Sequence, residues 1–95
     1  MDHQKSKSYL SSRVTLYREV KGRVRYYSLA LYPTLFGEYL LVREFGGVKN
    51  KKPTRVMKEY FPHIEDALQL LSRLTVDKLK KGYSNRYENC TFHSK

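Results

Sequence analysis

The part of this chain best suited to chemistry is an aromatic ring, two glycines and then a run of cations: Phe45-Gly46-Gly47, followed by Lys49, Lys51, Lys52 and Arg55. Ammonium and guanidinium groups on a loop hold backbone phosphates, which positions a nucleic acid without reading its sequence. The Phe45 ring suits stacking on an exposed base or sugar, an interaction of ~1–3 kcal/mol per base. It equally suits the end of a hydrophobic core, and the lysines equally suit a solvated loop. Arg23, Arg25 and Arg43 accompany Tyr27 and Tyr39 on apolar strands. Rings interleaved with cations suit unpaired strands, although such arginines also decorate sheets with their stems on apolar surface and their heads in water. Arg43 is the member to retain, because it shares its strand phase with Phe45. Lys78, Lys80 and Lys81 make a further cationic group, one that the dipole at a helix end also explains. The candidate nucleic-acid-binding residues are Phe45, Arg43, Lys49, Lys51, Lys52, Arg55, Arg25, Lys80 and Lys81.

Other chemistries find little support. His3, His63 and His93, with the single Cys90, have no metal-ligand spacing. The acids are few and scattered, with no acid/base pair. Gly46-Gly47 is not followed by a helical pattern, so it is not a nucleotide-gripping loop. The expectation is a non-enzyme with no cofactor and no small-molecule substrate. The formal net charge of +10 on 95 residues attracts polyanions, nucleic acid first. One cysteine suits a reducing compartment. No leader pattern opens the chain and no run approaches a membrane span. The expected partner is therefore DNA, with a protein partner or a homodimer as the alternative and no membrane. The expected location is cytoplasmic, at the nucleoid if DNA is bound.

These residues need a scaffold, and the chain is long enough for one modest core. Residues 1–12 and 85–95 read as flexible ends around a single domain over residues 13–84. Val14 to Val20 carries Val14, Leu16 and Val20 in one phase, interrupted by Arg18, which suggests an edge strand. Lys21-Gly22 reads as a turn. In Arg23 to Tyr32, the face bearing Tyr27, Leu29 and Leu31 is the better core candidate. Glu38 to Phe45 is apolar on both faces, so it reads as a central strand, ended by the backbone freedom of Gly46-Gly47. A loop over Val48 to Lys52 leads through Pro53 to a fourth strand, Thr54 to Tyr60. A helix from Ile64 to Lys81 follows, with its stripe on Ile64, Ala67, Leu68, Leu71, Leu74, Thr75 and Leu79, widened by Leu70 and Val76. Gly82 suits its C′ position, while His63 is a weak N-cap. The fold class is α+β: one antiparallel sheet packed against one helix.

RYYSLALYPTLFGEYLLVREFGG, an apolar-bearing strand after the loop, and EDALQLLSRLTVDKLKKGY together resemble the WGR domain over about residues 17–83. The resemblance implies a small antiparallel sheet with one packed helix. That module occurs in DNA-damage-responsive poly(ADP-ribose) polymerases, where it helps sense DNA ends and communicates with neighbouring domains, and in bacterial proteins, some of them small and stand-alone. At the Trp-Gly-Arg triplet this chain reads Phe45, Gly46 and Gly47. Phe45 keeps a ring and Gly46 matches. Gly47 departs from the arginine, whose five fixed donors suit phosphate or domain contacts, so the polymerase-type grip on a DNA terminus does not carry over intact. Loss of that arginine also fits a module retired from DNA work and kept for protein contacts.

Overall fold

A computed structural model describes residues 12–86. The expectations for the two ends, including those on Cys90 and His93, concern residues outside that range, save that Ser12 already belongs to the first strand and that Asn85 and Arg86 are described, with Arg86 N–H donating to the Ser84 hydroxyl.

Four strands form one antiparallel sheet in the order β1-β2-β3-β4: β1 is Ser12–Val20, β2 Arg23–Pro33, β3 Tyr39–Gly47 and β4 Arg55–Phe61. The simple meander follows from short connections, and β3 is central and β1 an edge, as the apolar patterns imply. Directly opposed residues of such a ladder share a face. The register sets Leu16 opposite Tyr27 and Tyr27 opposite Phe45, with Leu31 opposite Leu41. Tyr27, Leu29, Leu31 and Leu41 are buried with Ala67 and Leu71 of the helix in one core. The core therefore lies on the predicted face of β2.

Gly46 and Gly47 extend β3 rather than ending it, and neither has a positive φ. The reason for Gly46 is proximity: a Cβ there would stand 2.7 Å from the backbone nitrogen of Thr54. Thr54 N–H donates to the Phe45 carbonyl at 2.8 Å, which pulls the returning chain onto that spot.

The helix, α1, spans Ile64–Lys80, with Glu65 and Asp66 in its first turn and Lys78 and Lys80 in its last. It starts at His63, which makes no side-chain cap. At its other end Gly82 N–H donates to the Leu79 carbonyl and Tyr83 N–H to the Lys78 carbonyl, the paired bonds of a Schellman motif. Gly82 takes φ +100, as its C′ position requires. The inward stripe differs from expectation. Ala67 and Leu71 are buried, and Ile64, Leu70 and Leu74 pack against the core. Leu68, Val76 and Leu79 stay exposed. The sheet covers an arc centred on Ala67, Leu71 and Leu74, and the next residue on that arc is Lys78, so the apolar stripe is wider than the surface it meets.

The helix begins beside Phe61, which pairs with Tyr39 next to the β2–β3 turn. It ends where Ser84 pairs with Tyr17 of β1 through two hydrogen bonds of 2.7 Å. The helix C-terminus, the β1–β2 turn and the β3–β4 loop therefore share one end of the sheet.

Candidate nucleic-acid interface

That shared end collects cations. Lys21 lies in the β1–β2 turn, and Arg23 and Arg25 start β2. Lys49, Lys51 and Lys52 are exposed on the β3–β4 loop, and Arg55 opens β4. Lys78, Lys80 and Lys81 close the helix. Acids here are Glu19, Glu44 and Asp77, too few to neutralise the group. The remaining acids of the described residues, Glu38, Glu59, Glu65 and Asp66, lie toward the opposite end. The fold thus separates charge along the strand direction, which concentrates the positive field at one end.

At this end the rings and cations interlock on the helix side of the sheet. Tyr27 and Phe45 stack, with centroids 5.5 Å apart and planes at 23°. Tyr83 meets Tyr27 edge-on at 6.3 Å. The Lys78 Nζ lies 4.4 Å from the Tyr27 centroid and 5.4 Å from that of Tyr83. The Arg18 guanidinium lies 6.0 Å from Tyr83. Each element supplies its part for a local reason: Tyr27 and Phe45 are register partners, Arg18 is in phase with Leu16, and the Schellman bond folds Tyr83 back toward Lys78. Burial holds the Lys78 ammonium below the usual lysine pKa, and the neighbouring charges of Lys81 and Arg18 push it the same way, against the opposing pull of Asp77. A cation crowded by cations is poised to take an anion. On the opposite face, burial raises the Tyr26 phenol above its ordinary value, helped by the Glu44 carboxylate.

Phe45 is half-buried and packs against the core, so its ring is a structural member of the cluster. Arg55 is its register partner on β4 and shares its face. The lysine loop departs just beyond Gly47 and returns at Thr54, beside Phe45. The cations lying over the rings, however, are Lys78 and Arg18 rather than Lys49, Lys51 or Lys52. Arg25 lies opposite Arg18 and Gly47, on the same face as the cluster. Lys80 and Lys81 are exposed at the helix end. Arg43 shares the face of Phe45 but lies deeper in the sheet, where Glu59 takes its guanidinium at 3.5 Å. Tyr39 pairs with Phe61 at the other end, away from Arg23 and Arg25.

Sequence reasoning passed over Arg18, and it named Lys78 only within the helix-end cationic group without placing it among the candidate binding residues. Both carried a signal: each is a cation on an otherwise apolar phase, Arg18 between Leu16 and Val20 and Lys78 four residues after Leu74. Gly47 shows what fills the place of the missing arginine. A Cβ there would lie 3.0 Å from Asn50 Nδ2, so the amide of Asn50 occupies the start of that side chain's path.

Among the described residues no cluster of His, Cys, Asp or Glu is arranged to hold a metal ion, and no helix is long and apolar enough to cross a membrane. The described residues form a meander with one packed helix that gathers rings and cations at one end, and its family match marks it as a general module for nucleic-acid or protein interaction. The chain belongs to the WGR domain family, whose profile matches residues 12–90. The uncharacterized protein y4dW of Sinorhizobium fredii (strain NBRC 101917 / NGR234) is 35% identical to it over 66 residues, 70% of this chain. The matched stretch is 31% of that relative, so the chain spans about a third of its length. No solved structure matches the chain.

Proposed function

We propose that this domain binds DNA without sequence preference at the basic end of its sheet, with strand ends, nicks or single-strand junctions as its best targets. The observation that carries the reading is the convergence of Arg18 and Lys78 on the Tyr27–Tyr83 rings, bordered by the cations of two turns and a helix end. Backbone phosphates neutralise such a surface and release counterions. Phe45 works from behind, by holding the Tyr27 ring in place. Arg25, Arg55, Lys80, Lys81 and the loop lysines add phosphate contacts around the rings. Such a role belongs with the nucleoid of a cytoplasmic compartment.

A protein partner is the second reading, favoured by Gly47: the side chain that would reach a DNA terminus in the family pattern is absent, and Asn50 stands in its path. Binding to intact, nicked and 3′-overhang duplexes, titrated at several salt concentrations, separates the two. Preference for the interrupted duplexes, with affinity falling steeply in salt, is the expected result. Equal and negligible binding to all three removes the DNA reading.

A further inference from the structure

The β2–β3 turn presents the largest apolar exposure of the described residues. Leu35 is 96% and Phe36 88% exposed, whereas the other large exposed hydrophobics lie between 38% and 57%. Hydrogen bonds hold the backbone of the turn. The Thr34 hydroxyl accepts hydrogen bonds from the backbone N–H groups of Phe36 and Glu38. Thr34 N–H donates to the Glu38 carbonyl, and Gly37 N–H to that of Thr34. A turn whose backbone is already ordered loses less entropy on docking.

A second apolar surface lies on α1. Leu68, Val76 and Leu79 are 41–46% exposed on the flank that the sheet leaves uncovered; helical spacing brings Arg73 and Lys80 beside Val76, toward the helix C-terminus, and Glu65 beside Leu68 at the other end. The two surfaces match in charge. Glu38 adjoins the tip, and Glu65 and Asp66 stand at the same end of the sheet, so the tip is a poor seat for nucleic acid or anionic lipid. The helix flank offers cations toward the opposite end. Either apolar set alone is small beside the ~800 Å² per partner of a specific interface. Two-fold pairing lets every copy contribute both.

We propose that the chain forms a two-fold, antiparallel dimer in which the Leu35–Phe36 tip of each copy docks on the Leu68–Val76–Leu79 flank of the other. The arrangement sets the acidic end of one copy beside the basic end of its partner. The overall charge of +10 opposes association only weakly at physiological salt, where screening extends ~8 Å. This inference is independent of the nucleic-acid reading.

Sedimentation equilibrium of the full chain at physiological salt, over a wide concentration range, tests it. The wild type is expected to show a monomer–dimer equilibrium. Leu35→Ser with Phe36→Ser, and separately Leu68→Ser with Leu79→Ser, each weaken it by about thirtyfold or more. Circular dichroism of each variant checks that the fold is kept. A mixture of the two variants associates more tightly than either variant alone, because one of the two tip–flank contacts is intact in the mixed pair. A wild type that stays monomeric at every concentration overturns the proposal. So does a dimer that resists both pairs of substitutions, or a mixture that associates no more tightly than either variant alone.

Discussion

The Lys78 ammonium lies 4.4 Å from the centre of the Tyr27 ring, on the inward arc of the only helix among the described residues. A hydrophobic side chain would suit that position better for folding. The π-faces give back ~0.5–2 kcal/mol of cation–π attraction, yet burial and two like charges still depress the lysine's pKa. The charge therefore opposes folding, and the proposed DNA contact would give it a use.

Lys78→Leu is expected to raise the melting temperature by a few degrees and to weaken DNA binding. Its loss should reduce the salt slope by about one unit. Thermal melting and salt-dependent titration check the two effects, which must have opposite signs.

The same group sets a pH signature. The pKa of Lys78 is lower folded than unfolded, so the unfolded chain holds more protons in the alkaline window below about pH 10.5. Its penalty to stability is fully present at neutral pH and fades as pH rises through that window. Tyr26 acts oppositely: its raised pKa makes stability fall as pH climbs past 10.0. Urea unfolding of the wild type and Lys78→Met across this range isolates the lysine, and their stability difference should shrink with rising pH.

Gly46→Ala places a methyl group against the Thr54 backbone nitrogen. It is expected to destabilise by about 1–3 kcal/mol, because backbone must move. Gly47→Ala meets only the Asn50 side-chain amide, which can rotate, so it costs little. Comparing the two by denaturant unfolding tests whether close approach accounts for Gly46.

Reversing Lys49, Lys51 and Lys52 to Glu leaves stability nearly unchanged, since all three side chains are exposed on the loop. It should flatten the salt slope by about 0.9 for each phosphate that is no longer neutralised. An unchanged affinity and slope in titrations at several salts would remove the loop from the interface.

Phe45→Leu separates packing from stacking. Leucine refills much of the half-buried site at a cost of about 1 kcal/mol but removes the ring that stacks on Tyr27. If Phe45 only supports Tyr27, DNA affinity falls severalfold and equally for intact and interrupted duplexes. A loss confined to interrupted duplexes would instead make Phe45 a direct contact. Parallel titrations of both substrates decide between these.

Much of this architecture follows from local pattern. The period-two apolar phase of β2 marks Tyr27, Leu29 and Leu31 as core, and the three- and four-residue spacing from Ile64 to Leu74 marks the helix. Turn residues and the Gly82 stop set their boundaries closely, because those signals act between near neighbours in the chain. The excess of cations likewise points toward a polyanion partner without reference to any fold. What the linear pattern does not contain is which distant residues meet. Cross-strand register brought Arg18, Tyr27 and Phe45 into adjacent rows, and the direction of α1 carried Lys78 over them. The width of the sheet decided that Leu68 and Leu79 stay in water although their spacing equals that of buried residues. Long-range packing selects one face and one meeting point from several that local propensity permits equally.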